Sequence, residues 1–435
     1  MDDAPLVALG VLSSVASFGR CQRAEAAQTC WGGRTAHDAA WRRQRLRAEH
    51  RRSGAVHTVA LRFLLAGGDP HAAIEPYMTA PSTRALAAAR EEAAREGDLE
   101  FLPLHEDQLG GCSLKYVLWL ERATALHPRA DFIAIADDDV YIQFDHFEAD
   151  LRRDGARART EPILWGFIFW RPFYNRVTLE AADWGASWET HDAAVSKVRY
   201  KIERCGWELR HGANECTEGH TLPRSVVRMI SRGEISPLPP LPMPNGPLFA
   251  VSAPLAALLT GPSAPPRLWL ADFKRTALVD AARARMRIPY RTIKDVGCWP
   301  HGDATFGVWL MSLAQQGVNL TLIDTPNFVS HHPYPSTVSG AFSNSSIVLH
   351  GLKDNRTARF WRFAQRRGAG TYEPPPRTCD NCAKHGWVTW PRSPVQRWTC
   401  CGKRVRRKPV SRWPRSVRAG MNLSSWWRRV GRTLQ

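Results

Sequence analysis

At 435 residues the chain is long enough to bury one large core or two smaller ones. A hydrophobic fraction of 44% with 18 Trp excludes an intrinsically disordered chain, and 10 Cys are too sparse for a disulfide mini-scaffold. The net charge of +18 suits an anionic partner such as a nucleotide, polyanion or membrane surface, but the basic residues crowd the stretch from Arg377 onward, where Asp380 is the only acid. The basicity is therefore mostly a property of the tail.

Taken in order, Leu6 to Leu12 (LVALGVL) has the apolar continuity of a buried strand. The run from Pro5 to Phe18 is too short to span a bilayer, holds three serines and follows Asp2 and Asp3 instead of a basic segment. It is expected to be the first strand of the fold, neither anchor nor signal peptide. Small, polar Ser13 to Gly19 follows, then a basic, Ala-rich stretch from Arg20 to Arg51, with Trp31 on its path, that is expected to be helical. A strand, a small-residue loop and a basic helix start suit either a phosphate cradle or an ordinary βα unit. Val56 to Leu65 predicts a second strand, Ser82 to Glu96 a helix capped by Ser82 or Thr83, and Gly97 to Leu102 a third strand. Ser113 to His127 predicts a helix with Leu114, Val117, Leu118 and Leu120 on its buried side. Strands alternating with helices predict an α/β fold with a mostly parallel central sheet flanked by helices.

Asp131 to Ile142 (DFIAIADDDVYI) is where this pattern meets charge. Phe132 to Ala136 reads as a fully buried strand that stops in Asp137, Asp138 and Asp139 and resumes as Val140 to Ile142. In open α/β sheets ligands bind beyond the carboxyl ends of strands, where these acids fall. Adjacent carboxylates repel one another and a hard divalent cation relieves the repulsion, so the triplet is a candidate metal site. A solvated acidic turn is the plain alternative.

Beyond the acids, Phe144 to Asp154 predicts a short helix and Pro162 to Trp170 an aromatic strand. Trp184 to Thr217 is polar and Trp-rich, with Cys205 and Cys216 as a candidate disulfide across a loop. Pro237 to Pro247 is proline-rich with Asn245-Gly246 as a turn signal, Leu248 to Ser252 reads as a strand and Pro254 to Thr260 as a helix start. His301 to Gln316 holds a helix opening at Asp303, Asn319 to Ile323 predicts the final strand, and Asn327 to Pro333 closes the core. No internal repeat is present.

These pieces together resemble glycosyltransferase family 31, the β-1,3-galactosyltransferase and N-acetylglucosaminyltransferase group, over about residues 5–335. Three ordered blocks carry the resemblance. The first runs from Gly97-Asp98-Leu99 through Lys115 to Asp137-Asp138-Asp139-Val140-Tyr141. The second, Pro244-Asn245-Gly246-Pro247 to Ser252, is similar to the Asn-Gly-Pro-Gly-Tyr segment of plant-type members, and the third is Asp303-Ala-Thr-Phe-Gly307-Val-Trp309-Leu310. The chain departs from the family at its opening motif, degraded to Arg23 through Trp31, at Gly302, where an acid precedes Asp303 in the family, and at Leu248, where the family has glycine.

The resemblance implies a GT-A-type nucleotide-sugar transferase fold and an inverting, Mn²⁺-assisted transfer from a UDP-sugar, with UDP-galactose the donor that the plant-type second block favours, to a glycan or glycoprotein acceptor. It implies Asp139 as the direct metal ligand, with Asp137 and Asp138 contacting ribose or metal-bound water, and His331, with His332 adjacent, as the late histidine that completes the metal site. Inversion needs a base facing away from the leaving group, and Asp303 fits at a helix start, where the dipole favours its anionic form; a plain helix cap is the alternative. Lys115 suits a diphosphate or a solvated helix face, and Gly246 a close approach of backbone to sugar or a simple turn. Trp165, Trp170 and Trp309 suit either a sugar platform or the core.

The expected organisation is a catalytic domain over 1–335, an extension of the core over 336–373 and a basic, Cys- and Trp-rich tail over 374–435. In the tail, Cys379 and Cys382 followed by Cys400-Cys401 match a zinc ribbon poorly and fit two disulfides better. Its Arg/Trp-rich end suits disorder or a polyanion surface; no nucleic acid is expected as partner. Sequons at Asn319, Asn344, Asn355 and Asn422 agree with a secretory lumen, for which the family implies a Golgi membrane, although no anchor is visible in this sequence. A glycan-binding relative without catalysis, or a UDP-N-acetylglucosamine donor, are the alternatives.

Overall fold

The structure is a computed structural model that describes residues 5–13, 36–67, 83–104, 111–174, 237–268, 302–325, 328–330, 346–350, 398–400 and 403–404. Four parallel strands start the main sheet: β1 (Val7–Leu12), β2 (Val59–Ala66), β3 (Leu99–Leu102) and β4 (Phe132–Asp137), with β1 between β2 and β4 and β3 outside β2. The helices α1 (Ala36–Arg52), α2 (Thr83–Glu96) and α3 (Gly111–Leu126) fall between them in sequence. This is the alternation read from the sequence; the first helix, expected over Arg20 to Arg51, is described from Ala36, its expected beginning lies outside the described residues, and the other ends shift by a few residues.

The chain then gives β5 (Val140–Ile142), α4 (Phe144–Arg152), α5 (Gly155–Ala158), β6 (Ile163–Tyr174), β7 (Pro237–Ser252), α6 (Ala253–Thr260), α7 (Gly302–Gln315) and β8 (Leu320–Asp324). β7 is antiparallel to both β4 and β6, and β8 runs parallel to β6. Asn319 to Ile323 was expected to be the last strand, yet β9 (Phe328–Ser330), β10 (Val348–His350), β11 (Trp398–Cys400) and β12 (Lys403–Arg404) follow. β11 and β12 extend the main sheet from β8, which completes the order β12-β11-β8-β6-β7-β4-β1-β2-β3, so strand pairing reaches into the range read as tail. A small second sheet has the order β5-β10-β9. The architecture is mixed α/β, with a central, mostly parallel sheet flanked by helices.

The strands near β1 are buried on both faces, and their side chains alternate between two cores. Phe132, Ala134 and Ala136 of β4 join Leu46 of α1, Ala89 of α2 and Phe147 of α4 on one side. Ile133 and Ile135 join Trp119 of α3, Leu255 of α6 and Phe306 of α7 on the other. Trp119 lies across β1: its Nε1 donates to Ala134 O at 2.9 Å, and a Cβ on Gly10 would come within 2.5 Å of its ring.

One expectation is corrected here. Asn245-Gly246 is not a turn but the interior of the 16-residue β7. The prolines of this stretch are tolerated because β4 pairs only with Leu248 to Ser252, while residues 237–244 have β6 alone as partner, so one backbone edge needs no donor. Two register shifts absorb the irregularity, with the extra residues on β7: Gly166 and Ile168 of β6 face Phe249 and Pro244, and Arg171 and Phe173 face Leu241 and Leu238. Ser252 ends the strand and caps α6, its Oγ accepting from Leu255 N at 3.4 Å.

Candidate functional site

Strand order reverses at β1, since the chain passes outward to β2 and β3 and returns on the other flank as β4. The carboxyl ends of β1 and β4 therefore border a topological switch point, where open α/β sheets bind ligands. Asp137 is the last residue of β4, in register with Leu12. The chain leaves the main sheet immediately after it, and β5 pairs antiparallel with β10 so that His350 stands opposite Val140. This brings His350 Nε2 to 3.3 Å from Asp139 Oδ1 and 3.8 Å from Asp137 Oδ2.

Asp137, Asp139 and His350 each offer a ligand atom within 4.8 Å of the others, the one such group among the described residues. Two carboxylates and an imidazole suit a divalent ion of the Mn²⁺ type, and such an ion would relieve the repulsion between the two acids. Asp139 is deep, with 5% of its side chain exposed, while Asp137 at 35% and His350 at 26% leave one side open to a substrate. The histidine is held from behind by α4. Gln143 N donates to Ile347 O at 2.9 Å, Gln143 Nε2 donates to Ser346 O at 2.6 Å, and His146 Nδ1 lies 2.9 Å from the same carbonyl. Burial pushes the His146 pKa below its usual value despite that hydrogen bond.

The middle acid behaves differently. Asp138 is buried and turned to α1, where Arg42 Nε lies 3.1 Å from its Oδ1 and Arg42 Nη2 donates to its Oδ2 at 3.1 Å, joined by Ser13 Oγ at 2.9 Å. Arg43 Nη1 reaches Ser13 Oγ at 3.0 Å, and the network continues through Arg43 and Arg47 to Glu92 and through Arg47 to Asp98. Burial would raise the Glu92 pKa, but the two guanidiniums overcome it and hold the carboxyl below its ordinary value. Asp138 is thus neutralised from within the protein, and Asp137 and Asp139 are the acids directed toward the cluster. Lys115, also buried, donates from Nζ to Ser13 O at 2.9 Å and so ties α3 to the end of β1.

Asp303 reaches the same place from the opposite side. The antiparallel register of β4 and β7 ends with Ala136 opposite Leu248, which carries Gly246 past the tip of β4 to Asp137. A Cβ built on Gly246 would sit 3.7 Å from Tyr116 Oη and 3.8 Å from both Asp137 Oδ2 and Asp303 Oδ2. The first turn of α7 is held there by aromatic packing. Phe306 lies 5.0 Å from Phe249 of β7 and 6.2 Å from Tyr116 of α3 between ring centroids. Gly302 belongs to this contact, because a Cβ there would meet the Tyr116 ring at 2.8 Å.

Of the residues read from the sequence, Asp137, Asp139, Gly246 and Asp303 converge, with Lys115 and Asp138 behind them in the buried network. His331, His332, Cys205 and Cys216 lie outside the described residues. The histidine that the structure brings to the acids is His350, which sequence reasoning missed; its signal was a short apolar run, Ile347 to Leu349, ending in histidine. Trp165 and Trp309 are core residues, Trp165 Nε1 donating to Asp150 Oδ2 at 2.7 Å. The side chain of Trp170 is outside what is described.

A cavity of 320 Å³ lined by Gly67, Arg90, Phe101, Leu102 and Pro103 opens at the carboxyl ends of β2 and β3. It shares no residue with the acid cluster, whose place is given by its chemistry. Among the described residues no helix is long and apolar enough to cross a membrane.

No family model matches this chain, and no curated protein matches it. Solved structures similar to it include the galactosyltransferase LgtC in complex with donor and acceptor sugar analogues, at 11% identity and a TM-score of 0.28, covering 84% of this chain and 97% of that one. A mannose-1-phosphate geranyltransferase from Thermus thermophilus matches at 14% identity and a TM-score of 0.24, covering 67% of each chain. At TM-scores this low neither likeness bears on function.

Proposed function

We propose that this chain is a GT-A-type, metal-dependent glycosyltransferase that moves a hexose from a UDP-sugar to a hydroxyl of a glycan or glycoprotein. The observation that carries this reading is the Asp137, Asp139 and His350 cluster at the switch point, with Asp303 facing it across Gly246. The three sequence blocks agree in placing acids at both positions, and they support UDP-galactose as donor, inversion and a β-1,3 linkage. The four sequons support a secretory, Golgi-type lumen, and Asn319 of one of them is exposed.

In this mechanism Asp137, Asp139 and His350 would hold Mn²⁺. The ion, when bound, offsets the negative charge that develops as UDP departs. Asp303 accepts the proton of the acceptor hydroxyl while that oxygen forms its bond to the sugar C1; the bond from C1 to the phosphate oxygen breaks and its electron pair leaves with UDP. Burial of Asp303, 4% exposed, excludes competing water from the base. Arg42 and Lys115 act one layer back, holding Asp138 and the end of β1 so that the tip of β4 keeps its geometry.

The test is release of UDP by the purified chain with a panel of UDP-sugars, with and without Mn²⁺, beside Asp139→Ala and Asp303→Ala. Metal-dependent release from one donor, lost in both variants, is expected. No release from any donor by a folded protein overturns the proposal.

A further inference from the structure

The role of glycine at 246 is not explained by backbone or packing. Its φ lies outside the left-handed region that favours glycine, and a Cβ there would meet nothing closer than 3.7 Å. An alanine would fit. What a Cβ would occupy is a methyl-sized space ringed by the oxygens of Tyr116, Asp137 and Asp303, three hydrogen-bonding groups around one small gap. Tyr116 is placed there with care: its ring lies edge-on to Phe249 at 5.5 Å and presses on Gly302, where no side chain can stand. The ring fills the volume beside Asp303 and delivers only its hydroxyl to the gap.

We infer that the space beside Gly246 seats one hydroxyl of a sugar substrate and that Tyr116 Oη is the group that selects it. A phenol is neutral at ordinary pH, so it donates or accepts a hydrogen bond without adding charge to the two carboxylates. A site that hydrogen-bonds a hydroxyl discriminates against a ligand that lacks it, because that bond is then not made. Asp137, the most exposed of the three, opens the space toward the metal cluster, and Asp303 closes it from α7. The inference rests on the sugar-transfer reading for the identity of its ligand. It adds a specificity residue, Tyr116, that the sequence blocks do not mark.

Two variants test it. Tyr116→Phe removes the hydroxyl and keeps the ring; Gly246→Ala fills the space without a clash. In the UDP-release assay, Tyr116→Phe raises KM for the substrate whose hydroxyl is seated by about 3- to 10-fold, the size of one neutral hydrogen bond. Gly246→Ala raises it further. The KM that moves, donor or acceptor, identifies the source of the hydroxyl. Deoxy analogues of that substrate are expected to lose the difference between wild type and Tyr116→Phe at one ring position. Mn²⁺ affinity by electron paramagnetic resonance is expected to be equal in wild type and Tyr116→Phe; a fall there assigns the hydroxyl to metal-site structure and overturns the inference. Wild-type KM values for both substrates in both variants also overturn it. Saturation-transfer NMR with UDP-galactose separates this from the proposed function. Sugar-ring signals in a wild type that releases no UDP, lost in both variants, sink the transfer and sustain the inference. Absence of sugar-ring signals in an inactive wild type sinks both.

Discussion

His350 Nε2 lies 3.3 Å from Asp139 Oδ1 because β10 pairs antiparallel with β5 in the register that sets His350 opposite Val140. A three-residue strand from the far end of the described core thus completes a cluster begun by the central strand. On the proposed reading, His350→Ala and Asp139→Ala each weaken Mn²⁺ binding by at least the ~10–100-fold that loss of even an outer partner of a metal site costs. Calorimetric titration of Mn²⁺ checks it, and unchanged affinity in His350→Ala removes the histidine from the site.

Asp303→Asn keeps shape and removes the base. The expected outcome is a kcat lower by about 10²–10⁴-fold, with donor KM little changed, since general base catalysis contributes on that scale. A variant that loses donor binding instead would place Asp303 in the donor pocket.

Arg42 and Asp138 are both fully enclosed, so removing one leaves the other charged and uncompensated. Arg42→Ala is expected to cost about 3–5 kcal/mol of stability, the usual penalty for breaking a buried pair. Urea denaturation measures it, and a loss below about 1 kcal/mol, the size of a surface pair, would show that the pair is not desolvated.

Gly10→Ala places a methyl 2.5 Å from the Trp119 indole on the central strand. Overpacking of this kind costs about 1–3 kcal/mol. The double variant with Trp119→Leu is expected to recover part of the loss, and thermal melts compare the three.

Acid should weaken the fold in two steps. Burial lowers the pKa values of His50 and His146 from their ordinary value, so the unfolded chain binds protons that the folded one resists. That stability is fully present above the unfolded histidine value of about 6.5 and falls as pH drops below it. Glu92, where Arg43 and Arg47 outweigh burial, and Glu161, held down by its hydrogen bond from Arg157, are depressed carboxyls whose contribution is lost below about 4.3. Denaturant midpoints from pH 8 to pH 4 should decline beginning near neutrality, and His146→Gln should flatten the first step.

Local pattern alone determined much of this protein. Apolar continuity in Leu6 to Leu12 and Phe132 to Ala136, set between amphipathic helices, specified parallel strands buried on both faces, and the end of one in acids marked the switch point. Asp137 and Asp139 were legible because they sit in a short block whose chemistry is local, whereas Gly246 and Asp303, locally a turn and a helix cap, were read from the blocks that carry the family resemblance. The different fate of Asp138 was not, because its partner Arg42 comes from a helix whose approach to β4 is a matter of packing. Nor was His350, since pairing between β5 and β10 depends on long-range register that no local period encodes. Asn245-Gly246 misled for the same reason: the dipeptide lies within β7, in the register shift between the residues on either side that pair with β6, and only that long-range pairing keeps the chain running on as one strand. Local sequence specified the elements and the acids; which side chain meets which was decided by the packing of strands and helices far apart in the chain.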